Sequence, residues 1–300
     1  MNSSHAPIIR RRVNIDFADA KVDRWSHDSK EFENALNAMS FFFPTGETYF
    51  VDSVRAYLDK ITDPELKQQA RNFIYQEAMH TKEHARSNEE LKKVHPYGEM
   101  MERLAKASMA PSRKFMPKST QLATTCAMEH FTAMFANSIL TEQDHVMEAN
   151  DPAFAALWLW HAVEETEHKG VCFDVYQHVV GKGPIAYLHR VAVMASVTLL
   201  GIAGLSIGFG MIKWQQRKLK KAAGPDARAA TDGAPALSVL AKFAPLGLYL
   251  DYYRPSFHPW NHDNSDLIAK WKAAYGDHPG IRESGSNETV ADSAQVARAS

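Results

Sequence analysis

The chain has 300 residues, 45% of them hydrophobic, and a formal net charge of −1. That balance supplies a core for one large or two small domains and excludes a function resting on bulk electrostatics, such as nucleic-acid binding. Two cysteines, Cys126 and Cys172, exclude a disulfide framework and fit a reducing compartment.

Residues 1–24 read as a polar, extended arm. Its basic cluster, Arg10 to Arg12, precedes no apolar run, so it is not a secretory signal, and a solvated arm is expected. Residues 25–183 carry a helical pattern. The first helix is expected to stop at FFFPTGETYF, because an interior proline removes a hydrogen bond and clashes with the preceding turn. A new helix then starts at Pro44 or Thr45 and runs to about Ile61, with Glu47 in its first turn. Phe41, Phe42 and Phe43 read as wall or core residues.

Asp63-Pro64 marks a helix start, Asp as N-cap and Pro at the first helical position, and the helix runs to about Val94. In YQEAMHTKEH, Glu77, His80 and His84 share one stripe, whereas Glu83 and Glu89 belong to a charged outer face. His84 reads as an outer partner, a spare ligand or a partly exposed residue. His95-Pro96-Tyr97-Gly98 ends this helix, residues 99–116 form a short helix and a loop, and Pro117 opens a third bundle helix to about residue 148. Glu129 sits among Cys126, Met128, Phe131 and Met134, and a buried carboxylate needs a metal or a hydrogen-bonded partner. His130, about 100° round the helix, reads as surface or outer shell.

Asp151-Pro152 repeats the helix start, and the fourth helix is expected to reach about Val180 through HAVEETEHKG. His161, Glu165 and His168, spaced by four and three, fall on one face. Glu164 and Glu167 point away from it and read as solvated or outer-shell groups. Two Glu-x-x-His elements, with one further Glu from each of two other helices, are the inward-facing ligand set of di-iron carboxylate bundles. Glu47 and Glu77 each lie 15 residues from Thr62 (62 − 47 and 77 − 62), which brings them level across the turn. Glu129 and Glu165 lie 21 and 15 residues from Asn150 (150 − 129 and 165 − 150), a looser match that loop residues absorb. The expected metal ligands are therefore Glu47, Glu77, His80, Glu129, His161, Glu165 and His168. Such oxygen and imidazole donors suit two ions of iron, with manganese or zinc tolerated.

Gly181 to Pro184 breaks the pattern. Within residues 184–221, Val191 to Ile212 is 22 residues without a charge (212 − 191 + 1), flanked by Arg190 and by Lys213, Arg217, Lys218, Lys220 and Lys221. A helix of that length spans about 33 Å, enough for a bilayer core, and Gly204 and Gly208 have the small-x-x-x-small spacing of helices packed in lipid. A membrane span is expected, the alternative being a buried core helix. The basic flank favours the cytoplasmic side for that end. A lone span would then leave the metal domain opposite the reducing compartment, unless a second embedded or interfacial segment lies around Leu237 to Leu250. Residues 222–236 read as a linker and 237–275 as an aromatic-rich cap or interfacial segment, with His258 and His262 weighed as ligands of a second site. Residues 276–300 read as a disordered tail.

The stretches FFFPTGETYF, YQEAMHTKEH, CAMEHFTAM, HAVEETEHKG and FHPW together resemble the family named predicted metal-dependent hydrolase, of the ferritin-like superfamily, over most of residues 10–270. The resemblance implies an all-α, ferritin-like four-helix bundle with a di-metal centre. The metal site is also similar to that of di-iron arylamine N-oxygenases, whose second Glu-x-x-His helix carries an additional histidine. His161 matches that position, and this likeness covers the metal site alone.

The expected function is a di-metal, iron-favouring enzyme that activates dioxygen to oxidise an apolar or lipid-like substrate. Phe42, Phe43, Phe131 and Trp160 would line its channel, and it would draw on an electron donor. Tyr49 and Tyr75 lie off the ligand stripe and read as core packing. The alternatives are a metal-dependent hydrolase of an ester or phosphoester and a non-enzymatic, membrane-attached metal protein. Membrane association, with the metal domain on the cytoplasmic side, and a homodimer complete the expected partners.

Overall fold

Pro44 does not end a helix. In the computed structural model, which describes residues 6–28, 30–223, 243 and 245–284, helix α1 runs unbroken over Lys30–Arg55. A proline at 44 leaves the carbonyl of residue 40 without its helical donor. Asn88 supplies one, its Nδ2 donating to the Ser40 carbonyl at 2.9 Å. The interruption expected at FFFPTGETYF is thereby repaired from a neighbouring helix.

After a single turn of 3-10 helix at Leu58–Lys60, α2 (Pro64–Val94) starts where Asp63-Pro64 predicts, with the Asp63 carboxylate accepting from the Glu65 and Leu66 amides at 2.9 and 3.2 Å. α3 covers Gly98–Phe115 as one helix, where a short helix and a loop were expected. The expected third bundle helix is two: α4 (Lys118–Thr141) and α5 (Gln143–Ala149). The short α5 takes up the extra residues between Glu129 and Asn150. Asp151 then caps α6 (Pro152–His168), accepting from the Ala153 amide at 3.0 Å.

The fourth helix stops at Lys169-Gly170, short of the expected Val180, and α7 (Val171–Val179) resumes it. The later chain packs on this break. A Cβ at residue 170 would lie 2.9 Å from Trp260 Cδ1, and Lys169 turns inward to donate to the His262 carbonyl and Asn264 Oδ1, each at 2.6 Å. α8 (Pro184–Ala223), α9 (Leu246–Asp251), a 3-10 turn at Pro259–Asn261 and α10 (Ser265–Tyr275) follow.

α1, α2, α4 and α6 form the bundle: α1 packs on α2 and α4, and α6 packs on α4 and α2. α3 lies against α1, and α8 against α4. Among the described residues the fold is all-α apart from a two-stranded ribbon, β1 (Arg11–Val13) antiparallel to β2 (Ile281–Glu283).

That ribbon corrects both ends of the chain. The arm expected to be solvated buries Val13, Ile15 and Phe17, and Arg11 is only 2% exposed. Its backbone is tied down by the Ile15 amide, 3.2 Å from Glu83 Oε2, and by Asn14, which donates to the Gly280 carbonyl at 2.9 Å. The tail expected over 276–300 contributes β2; residues 285–300 lie outside the described residues, as do 224–236 of the linker and 237–242 and 244 of the second apolar segment.

Candidate metal centre

The α2 residues Glu77, His80, Thr81, His84 and Asn88 recur every three or four positions, so they face the same way, into the bundle. α6 presents His161, Glu165 and His168 by the same rule, while α1 adds Glu47 and α4 adds Glu129. All are buried. Their donor atoms form four interlocking groups, each within 4.8 Å: Glu77, Glu129, Glu165 and His168; Glu47, Glu77 and His80; His80, His161 and Glu165; and Glu47, His84 and His161. The seven residues singled out from the sequence all lie in these groups, and His84 joins them. Glu77 and Glu165 each share one group with His80 and another with His168, so they occupy the middle of the cluster.

Each histidine turns one nitrogen inward. His80 Nδ1 is 3.6 Å from both Glu77 Oε1 and Glu165 Oε1. His168 Nε2 is 3.1 Å from Glu77 Oε1, 3.5 Å from Glu129 and 3.6 Å from Glu165. His161 Nε2 is 3.0 Å from Glu165 Oε1. Two donors bound at right angles to one ion at about 2.1 Å stand about 3 Å apart, so these separations fit shared coordination.

The outward nitrogens meet fixed partners. His80 Nε2 lies 3.1 Å from Glu164, and His168 Nδ1 lies 2.9 Å from Gln76 Oε1. Gln76 Nε2 donates to Glu167 at 2.9 Å, and Arg11 bonds Glu167 through both terminal nitrogens at 2.6 and 2.9 Å and Glu164 at 3.0 Å. A single chain of contacts thus joins His80 to His168 through Glu164, Arg11, Glu167 and Gln76, behind the cluster. Glu164 and Glu167 are therefore buried partners rather than solvated groups, and Glu83, expected on an outer face, is buried beside Arg86 and Lys82.

The third histidine is held differently. Asn88 Nδ2 donates to the Ser40 carbonyl, which orients its Oδ1 to accept from Ser40 Oγ at 2.7 Å. With that hydroxyl proton committed, His84 Nδ1, 2.9 Å away, donates to Ser40 Oγ. Burial, with His161 and His80 nearby, pulls the His84 pKa well below its ordinary value, so the ring is neutral and its Nε2 is an acceptor. It accepts from His161 Nδ1 at 2.7 Å. His161 is left with a lone pair on Nε2, the nitrogen that faces Glu165.

The charges call for a cation. Both oxygens of Glu47, Glu77 and Glu129 are buried without a hydrogen-bond donor. Burial, with Glu77 beside it, pushes the Glu47 carboxyl well above the usual range, and burial with Glu165 does the same to Glu129. Burial alone would raise Glu165 too, but His168 beside it holds it well below. Burial pulls His80 down, yet Glu164 and Glu77 outweigh it and carry His80 to about 10. Four carboxylates facing one another in a dry core cannot all ionise alone; multivalent cations remove that cost. The donor set is oxygen and imidazole. Cys126 and Cys172 are buried, protonated thiols outside the four groups.

Three other histidines weighed from the sequence lie outside the cluster. His130, read as surface or outer shell, is buried and pairs with the Leu248 carbonyl at 3.0 Å. His258 lies 3.1 Å from Asp174 and His262 3.0 Å from Asp251, and neither falls in the four groups.

Sequence reasoning missed Arg11, Gln76, Ser40 and Asn88. For Asn88 the signal was present, as it continues the three-and-four spacing of the α2 stripe. Arg11 and Ser40 act from elements whose placement no local pattern fixes.

Residues 9–263 match the family described as predicted metal-dependent hydrolase. No curated protein and no solved structure matches the chain.

Proposed function

The chain belongs to the predicted metal-dependent hydrolase family, and on that premise we propose that it is a hydrolase working with two metal ions. Glu129 and His168 would hold one ion, Glu47, His80 and His161 the other, with Glu77 and Glu165 shared between them. The observation that carries this reading is the carboxylate cluster itself: Glu47, Glu77, Glu129 and Glu165 converge in a buried site, and three of the four have no hydrogen-bond donor. Four carboxylates neutralise two divalent ions. When bound, such ions polarise a carbonyl or phosphoryl oxygen and activate a water.

The chain's own residues supply the rest. His84 holds the His161 Nδ1 proton and so keeps His161 Nε2 free as a donor to metal. Arg11 fixes Glu164 and Glu167, which orient His80 and, through Gln76, His168. Trp158, Trp160 and Phe43 surround the histidines and exclude water. Phe43 is only partly buried while its ring touches His161 and His84, which makes this part of α1 the thin wall through which an ester or phosphoester with an apolar group would approach.

A second reading, dioxygen activation at iron, is favoured by the thiolate-free donor set and by the aromatic rings packed on His161 and His80. The ferritin-like affinity, the similarity to arylamine N-oxygenases and the need for an electron donor belong to that reading. One experiment separates the two. Protein purified without added metal is analysed for its elements, then reconstituted with zinc, manganese or iron and assayed anaerobically on p-nitrophenyl esters and phosphoesters. Turnover with zinc or manganese without oxygen supports hydrolysis. Activity confined to iron with oxygen and a reductant supports the second reading, and fewer than one ion bound per chain with every metal overturns both.

A further inference from the structure

α8 is long and apolar enough to cross a bilayer, judged by length and composition over Pro184–Trp214. Its contacts argue for another placement. One stripe of the helix faces protein: Ala186, Arg190 and Met194 are buried at its start, and Gly208 and Ile212 at its far end. Arg190 donates to the Tyr252 carbonyl at 2.7 Å, and a Cβ on Gly208 would lie 3.1 Å from Met101 of α3. Ala186 and Ile212 are 26 residues apart (212 − 186), about 39 Å of helix, whereas a bilayer core is about 30 Å thick. A crossing would therefore carry the adjoining bundle into lipid, including α3, whose Glu99 and Arg103 side chains are 72% and 76% exposed. Exposed charges of that kind are costly against hydrocarbon.

The opposite stripe is apolar and open. Leu188, Leu199, Leu200 and Ile207 are 55–73% exposed, and only 11% of the most apolar window is buried. α9, joined to α8 by a Thr198 to Tyr249 hydroxyl contact of 3.0 Å, adds exposed Leu246 and Leu250. Between α3 and α8 an open apolar cavity of about 540 Å³, lined by Met100, Leu104, Met211 and Trp214 with Arg103 among its walls, has room for acyl chain. α8 contains no acidic residue, and exposed Lys213, Trp214, Arg217 and Lys218 follow the apolar stretch. An apolar face ending in Trp and basic residues matches a lipid surface with anionic headgroups.

We propose that α8 lies lengthwise in one leaflet of a bilayer, one face on the bundle and the other in lipid, and does not cross the membrane. This placement removes the topological conflict of a lone span, since both ends of α8 and the metal centre stay on one side. It stands independently of the reaction catalysed.

The test uses the full chain with vesicles of phosphatidylcholine and phosphatidylglycerol, and with membranes of expressing cells. The protein should co-float with vesicles, be released by alkaline carbonate, and lose at least tenfold in partitioning on L199E/L200E while its metal content is unchanged. Separate K182C and K213C variants should react with a membrane-impermeant maleimide from the same side. Labelling from opposite sides, or resistance to carbonate, would show a crossing helix and overturn the proposal. So would absence of vesicle binding, whether the chain is then a monomer or a dimer that L199E/L200E dissociates; in the dimer case a second copy covers this face.

Discussion

Asn88 of α2 donates to the one α1 carbonyl, that of Ser40, which Pro44 deprives of its helical partner. The same amide orients the Ser40 hydroxyl, which orients His84, which orients His161. A helix-breaking residue in one element thereby bears on the tautomer of a histidine in the carboxylate cluster of another. Asn88→Ala should leave the buried Ser40 carbonyl unpaired and cost about 1–3 kcal/mol of stability. It should also weaken metal binding by about 10–100-fold, the usual effect of losing an outer-shell partner. Urea unfolding of the metal-free chain and competition with a chelator measure the two effects separately. Lower stability with unaltered metal retention would reduce Asn88 to a packing role.

Arg11 offers a second case in which a distant residue serves the centre. Arg11→Ala strands Glu164 and Glu167 in the core, and breaking such a buried pair costs about 3–5 kcal/mol. The double variant R11M/E167Q, which restores volume and removes one charge, should recover part of that loss in thermal or urea melts. If R11A alone melts like the natural chain, water must reach Glu164 and Glu167, and the ring behind the histidines is not a dry one.

Helix starts at Asp63-Pro64 and Asp151-Pro152, and the convergence of Glu77, His80, His161, Glu165 and His168, follow from spacing alone, because a helix of 3.6 residues per turn fixes which side chains share a face. Pro44 reads as a helix stop because its remedy comes from Asn88, 44 positions later (88 − 44), and a local rule cannot see a tertiary donor. The break at Gly170 escaped notice for the same reason, being set by the approach of Trp260. Arg11 looked like a solvated cation because its partners lie 153 and 156 residues away in sequence.

Metal binding should release protons. Glu47 and Glu129, pushed well up by burial and neighbouring carboxylates, and His80 and His168, held up by their glutamate partners against burial, all hold protons more tightly in the metal-free chain than their free side chains do. Ligation requires the deprotonated forms, so apparent affinity rises with pH. Titration calorimetry in two buffers of different ionisation heat should show net proton release, and binding independent of pH between about 6 and 8 would contradict the assignment. For the metal-free chain the sign is opposite. A His80 pKa raised in the fold from 6.5 to about 10 stabilises fully below 6.5, and that contribution is lost as pH rises through about 10.

Phe43 connects the centre to the outside. Its ring lies 4.8 Å from His161, 4.9 Å from His84 and 5.9 Å from Trp158, yet the residue is only partly buried. Burying a Phe fully is worth about 3–5 kcal/mol against Ala, so at a half-open position Phe43→Ala should cost about 1–3 kcal/mol. Because the ring stands between the histidines and the surface of α1, its removal should hasten the loss of metal to an external chelator without changing the number of ions bound. Under the hydrolase reading it should also raise kcat/KM for bulky esters more than for small ones. Phe43→Trp should do the reverse on both counts. Chelator kinetics identical in the natural chain and both variants would place the route to the centre elsewhere, and the α4 residues Met128 and Phe131, also partly buried, would be the next to vary.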